Sequence, residues 1–161
     1  MLHRRYLASL LSAFLVAIGL ASCSSDDCPI NNTVMGKLAF YETNGATVSY
    51  AGVLTARVVR PQGDSVVLNQ KTGASSVLFP LSYMHTTDTL ILDYDGSAYD
   101  SLYITHTNTP TLVSLDCGTA MFHTITSVSS THQLIDTLIL KSSEVNYDER
   151  ENIQVIYRLA D

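Results

Sequence analysis

Between residues 23 and 161 the chain carries 17 Thr, 12 Val and 8 Ile, against only 4 Glu and 3 Lys. Side chains branched at Cβ lose rotamer freedom on a helix and pack well on a pleated surface, whereas Glu and Lys usually cover exposed helical faces. The imbalance therefore predicts strands nearly everywhere. The nearest approach to helical spacing is Met121, Phe122, Ile125 and Val128. Thr124, Thr126, Ser127, Ser129 and Ser130 interrupt it.

Strand-like segments recur at short intervals with turn chemistry between them. They are Lys37–Tyr41, Gly52–Arg60, Ser65–Asn69, Ser75–Leu81, Asp88–Tyr94, Asp100–Thr107, Thr111–Asp116, Met121–Val128, Leu134–Lys141 and Asn152–Leu159. Thr43-Asn44-Gly45, Lys71-Thr72-Gly73, Asp95-Gly96 and Asn108-Thr109-Pro110 read as turns. In the last segment Ile153, Val155, Tyr157 and Leu159 oppose Asn152, Gln154 and Arg158. Short strands without intervening helices predict an all-β fold, an antiparallel β-sandwich for which an immunoglobulin-like arrangement is one form. A small up-and-down β-barrel is the alternative. The sandwich is preferred because only 7 Gly follow residue 22, and tightly curved barrels rely on bulge and corner glycines.

The segment before residue 23 is of another kind. His3, Arg4 and Arg5 precede Leu7 to Leu20, which is apolar apart from Ser9, Ser12 and Gly19. A run this short cannot span a bilayer core of about 30 Å as a helix, and a basic start followed by an apolar run describes a secretory signal peptide. Leu20-Ala21-Ser22-Cys23 resembles the lipobox of bacterial lipoproteins, which implies cleavage before Cys23 and its lipidation. Ser24-Ser25-Asp26-Asp27 resembles the Ser/Asp-rich signal that places Bacteroidetes lipoproteins on the outer face of the outer membrane; a solvated acidic tether is the plainer reading. The organisation that follows is a signal peptide over 1–22, a lipidated tether over 23–34 and one β domain over 35–161.

Removing residues 1–22 takes away Arg4 and Arg5, so the formal charge moves from −6 to −8. An acidic domain argues against nucleic acid as a partner, and it leaves attachment to the anchor rather than to a basic patch. Three Cys is an odd number, but a lipidated Cys23 leaves Cys28 and Cys117 as a pair. In an oxidising compartment the two are expected to form a disulfide, with two free buried thiols as the alternative.

Asp64-Ser65-Val66, Asp88-Thr89-Leu90, Asp100-Ser101-Leu102 and Asp136-Thr137-Leu138 repeat one pattern. An Asp at a strand start accepts turn hydrogen bonds, which accounts for all four. The triplets also resemble the acceptor pattern of O-glycosylation in Bacteroidetes exported proteins, which would make Ser65, Thr89, Ser101 and Thr137 sites of modification. His85, His106, His123 and His132 form no metal-ligand spacing, although paired strands can bring His106 and His123 together with Asp116. Asp93-Tyr94-Asp95-Gly96 lacks the spaced ligands and final Glu of a calcium loop, so it and its neighbours Asp88 and Asp100 read as solvated turn acids. No catalytic residue, metal site or cofactor is assigned. Tyr41, Tyr50, Tyr83, Tyr94, Tyr99 and Tyr103 are candidates for a sugar platform, weakened by the absence of Trp.

Pro80-Leu81-Ser82-Tyr83, His106-Thr107-Asn108 and the run from Cys117 to His123 read as one set with Ile135-Asp136-Thr137, Val145-Asn146-Tyr147 and Glu151-Asn152-Ile153. Together they resemble a family of small Bacteroidetes lipoproteins known only as a domain of unknown function. The resemblance implies an all-β domain and an envelope location, and it implies no activity. The leading expectation is a lipid-anchored, cell-surface envelope protein, a non-enzymatic binding or accessory subunit of an outer-membrane complex. A glycan or small-ligand binding module is the alternative, and a His/Asp-dependent hydrolase using His106 and His123 is the third reading.

Overall fold

Strand formation follows the alternation of buried and open side chains. In Tyr50–Val58, Leu54, Ala56 and Val58 are buried while Thr55 and Arg57 are not, so one face of a pleated strand is closed and the other open. A computed structural model describes residue 28 and residues 33–158. The expected signal peptide over 1–22 and the expected lipid site Cys23 lie outside the described residues. Ten strands are present: β1 (Met35–Tyr41), β2 (Tyr50–Val58), β3 (Ser65–Ala74), β4 (Ser76–Pro80), β5 (Thr87–Tyr94), β6 (Ala98–Ser114), β7 (Gly118–Ser130), β8 (Ile135–Leu140), β9 (Glu144–Val145) and β10 (Ile153–Tyr157).

They form two open sheets, a four-stranded one in the order β4-β1-β10-β8 and a six-stranded one in the order β3-β2-β5-β6-β7-β9. The fold is an all-β sandwich, and the barrel alternative fails because neither sheet closes on itself. One pairing is not antiparallel: β1 runs parallel to β10, with Leu38 opposite Ile153 and Phe40 opposite Val155. Between the sheets lies one hydrophobic cluster that includes Leu38, Phe40, Leu54, Leu92, Leu102 and Ile153. Gly36 faces the Phe79 ring so closely that a Cβ there would stand 2.7 Å from it.

Two segments expected to turn do not. Asn108-Thr109-Pro110 lies inside β6, with Pro110 opposite Met121. The partner strand β5 pairs with β6 only as far as Thr105, so Pro110 lies in the half of β6 that has one neighbour, where its missing N–H breaks no ladder. Lys71-Thr72-Gly73 belongs to β3, which crosses it through irregular pairing at Gln70 (φ 44°) and Gly73 (φ 65°). Ser75 alone then separates β3 from β4, so the chain passes from one sheet to the other at a single corner. Asn152, expected on the open face of the last strand, is 1% exposed. Its amide accepts from Lys37 N and donates to the Ser142 and Glu144 carbonyls, joining β1 to the connection between β8 and β9.

β6 and β7 make the longest ladder, from Leu102–Ser130 out to Ser114–Gly118. Their connection, Leu115-Asp116-Cys117, is closed by Gly118 at φ 76°, and Cys117 is bonded to Cys28 with the two Cα atoms 5.3 Å apart. The bridge spans 89 residues of sequence, and a link of this kind contributes about 2 to 4 kcal/mol, chiefly by restricting the unfolded chain.

Candidate functional site

The inner face of the six-stranded sheet is mainly apolar, with buried Asp100 toward one end and a cluster of polar side chains at the other. There, Arg60 just past β2, Asp88 on β5, His106 and Asn108 on β6, and His123 on β7 follow one another across the strands. Register places them so: Val58 lies opposite Leu90, Asp88 opposite Ile104, and Asn108 opposite His123. Asp88, His106 and His123 are 6%, 1% and 2% exposed, which makes this a buried polar belt at the edge of a hydrophobic core.

Asp88 is shared. One carboxylate oxygen takes the Arg60 guanidinium, and the other accepts from His106 Nε2 at 3.0 Å and from Ser82 N at 2.6 Å. Arg60 also donates to the Pro80 carbonyl at 3.0 Å. Asn108 donates through Nδ2 to the Tyr83 and His85 carbonyls, at 3.1 and 3.0 Å, which leaves Oδ1 to accept from His123 Nδ1 at 2.7 Å. The Tyr83 ring stacks on His123 with centroids 5.8 Å apart, and the His106 ring meets His123 edge-on at 5.1 Å. Three of these bonds, from Ser82 N to Asp88 and from Asn108 to the Tyr83 and His85 carbonyls, together with His106 N donating to the Thr86 carbonyl, hold the segment Leu81–Thr86 between β4 and β5 down onto the belt.

This pattern assigns the imidazole protons to His106 Nε2 and His123 Nδ1. The other ring nitrogens, His106 Nδ1 and His123 Nε2, are buried without a hydrogen-bond partner. Burial first, and the neighbouring His106 second, lower the His123 pKa to about 4, with Asp88 opposing. The unfolded chain would protonate nearer 6.5, so it takes up the proton first as pH falls. His123 therefore contributes stability that is complete above about pH 6.5 and is lost between there and about 4. After allowance for solvent screening the expected loss is on the order of 1 to 2 kcal/mol, read as the difference between wild type and His123→Gln in urea midpoints at pH 7 and pH 4.5. Parallel profiles for the two proteins would contradict it.

An imidazole oriented by a carboxylate is half of a general-base arrangement, but His106 Nδ1 touches no hydroxyl or thiol to activate. Asp116, the acid that strand pairing could have brought to the histidines, lies exposed in the β6–β7 turn. The acid that meets His106 is Asp88, which was expected in a solvated turn together with Asp100. Both are buried. Asp100 is 0% exposed and accepts from Thr131 Oγ1, from the backbone N–H groups of Gln133, Leu134 and Ile135, and from Tyr94 OH. Asp95 does sit exposed in the turn after β5, and Asp93, near the end of β5, caps that turn by accepting from Gly96 N through Oδ1 at 2.8 Å. Among the described residues no group of three or more His, Cys, Asp or Glu is placed to hold a metal ion.

The remaining candidates are dispersed. Tyr94 is fully buried and meets Tyr50 and Tyr157, Tyr41 donates to Glu151, and Tyr83 covers His123. Tyr99 and Tyr103 are exposed on β6, so the six tyrosines form no common platform. A separate cleft of about 400 Å³ is lined by Val48, Tyr50, Leu134 and Tyr157 together with Glu42 and Arg158. Of the hydroxyl residues in the repeated triplets, Ser65 and Thr137 are exposed on the edge strands β3 and β8. Thr89 and Ser101 are half-buried on the central strands β5 and β6.

Arg60, Asp88 and Asn108 were not legible as partners of the histidines. The one signal for them is strand register, and β2 pairs with β5 across the intervening β3 and β4, which no local pattern announces. No curated protein and no solved structure matches the chain. A family of unknown function, DUF6452, matches residues 53–157, from within β2 to the end of β10 and over more than half of the chain. The sandwich with its buried Arg60–Asp88–His106 belt therefore belongs to the DUF6452 family.

Proposed function

We propose that this is a lipid-anchored envelope protein of the Bacteroidetes type, acting as a non-enzymatic binding or accessory subunit of an outer-membrane complex. The observation that carries the reading is the pairing of the cysteines. With Cys28 and Cys117 bonded to each other, an exported chain keeps one cysteine, and it stands where Leu20-Ala21-Ser22-Cys23 invites acylation. On this reading residues 1–22 are the signal peptide, 23–34 the tether and 35–161 the β domain, and Ser24-Ser25-Asp26-Asp27 directs the protein to the cell surface. Its non-enzymatic character is supported by the belt, whose side chains bond to one another and to the backbone of Pro80 and of Leu81–Thr86. Ser65 and Thr137, exposed on edge strands, are the better placed of the four triplet hydroxyls for O-glycosylation.

Detergent-phase partitioning tests the anchor. Wild type is expected in the detergent phase and Cys23→Ser in the aqueous phase; equal partitioning of the two would sink the reading. Crosslinking in intact envelopes tests the accessory role, with one partner of fixed stoichiometry expected and the monomer alone counting against it. The cleft beside Tyr50 and Tyr157 favours a second reading, a small-ligand module, because its lining is mainly apolar and includes Glu42 and Arg158.

A further inference from the structure

The disulfide and the β6–β7 arm together say which end of the sandwich faces the membrane. This rests on the lipidation of Cys23 proposed above. Cys28 follows Cys23 by five residues, a reach of about 18 Å even when the chain is fully extended. Cys28 is bonded to Cys117 in the turn of the arm. The next described contact of the incoming chain, the bridge between Thr33 and Met121, falls on the same arm. Anchor, tether and arm therefore meet at one end of the molecule.

At that end the hairpin turn carries Asp116, the one formally charged side chain between Ser101 and Ile135, and the sequence places Asp26 and Asp27 just before Cys28. Leu112 and Leu115 stand 62% and 92% exposed there, among Thr and Ser residues. At this end hydroxyls suit the headgroup layer and leucines the start of the acyl region. Exposed leucines scattered singly over a surface need no explanation. Two at the point where the chain is tied to its own lipid do.

We propose that the β6–β7 turn is a membrane-contacting tip: Leu115, with Leu112 behind it, enters the headgroup–acyl boundary and holds the domain upright on its anchor. The occupant of this surface is a phospholipid leaflet. The opposite end of β6, at Tyr99, then stands about 50 Å away along the strand.

The chain contains no Trp, so one introduced Trp is a clean reporter. Lipidated full-length Leu115→Trp and Tyr99→Trp, each at an exposed position, are reconstituted into phosphatidylethanolamine/phosphatidylglycerol vesicles with or without acyl chains brominated near the glycerol. Bromine is expected to reduce Leu115→Trp fluorescence about twofold, as for a residue 5 to 10 Å deep, and to leave Tyr99→Trp unchanged. If the protein floats with the vesicles and Leu115→Trp is not quenched, the tip proposal is overturned and the anchor stands. Quenching at Tyr99→Trp overturns it too, since the opposite end is then down. Protein that fails to float at all removes the lipidation reading, and the tip with it.

Discussion

Asp100→Ala is expected to lower the stability of the domain by about 3 to 6 kcal/mol, because a buried donor deprived of its acceptor costs about 1 to 3 kcal/mol and this carboxylate serves several. Thr131 Oγ1 and the Gln133, Leu134 and Ile135 amides all reach it from the connection between β7 and β8, at 2.6 to 3.1 Å. Tyr94 adds its hydroxyl from within the core. The two sheets are joined here, since β7 belongs to one and β8 to the other. Without the carboxylate, Gln133 is exposed and its amide recovers water, but Ile135 is fully buried and its amide does not. Urea unfolding is the measurement. Thr131→Val is the comparison: it removes one exposed donor and should cost about 1 kcal/mol. An Asp100→Ala midpoint no lower than that of Thr131→Val would show that the carboxylate does not hold the connection.

Asp88→Ala is expected to cost about 3 to 5 kcal/mol, the range for breaking a buried ion pair by removing one partner. Arg60 would be left with the Pro80 carbonyl and His106 with no partner at either ring nitrogen. The Ser82 amide loses its acceptor as well, so the damage should be local before it is global. Amide exchange of Ser82–Thr86 should accelerate by more than that of the Leu102–Leu90 ladder, which lies deeper in the same sheet. Uniform acceleration across β5 and β6 would mean that the belt stabilises the whole sheet and does not specifically latch Leu81–Thr86.

Much of the fold was legible because its signals are local. Leu54, Ala56 and Val58 alternate with Thr55 and Arg57 and declare a strand wherever that strand is finally placed. Asp95-Gly96 declares a turn by the left-handed conformation those residues tolerate, and both adopt it, at φ 57° and 69°. Pro110 misled for the opposite reason. Proline opposes a strand only where both edges are paired, and β5 ends before that point. Asp88 and Asp100 misled because each has the local appearance of a strand-start acid, while all but two of their partners lie 18 to 35 residues away along the chain. His106 and His123 were suspected as a pair, and the ladder of β6 and β7 does place them together. The acid beside them was mistaken because that choice depends on how β5 lies against β6.

The sequence by itself determined what each segment can be. Cβ-branched side chains made strands, glycine and aspartate made turns, and with Cys23 set aside as the expected lipid site, counting left Cys28 and Cys117 as a pair. These follow from the conformational preferences of single residues and from counting, and they need no knowledge of neighbours. Only the tertiary structure decided which acids are buried, which histidine nitrogens lack partners, and that Cys117 brings the tip of the β6–β7 arm to the tether. Those are facts of register and sheet order, where a pairing gains free energy from side chains far apart in sequence, and no local pattern carries that information.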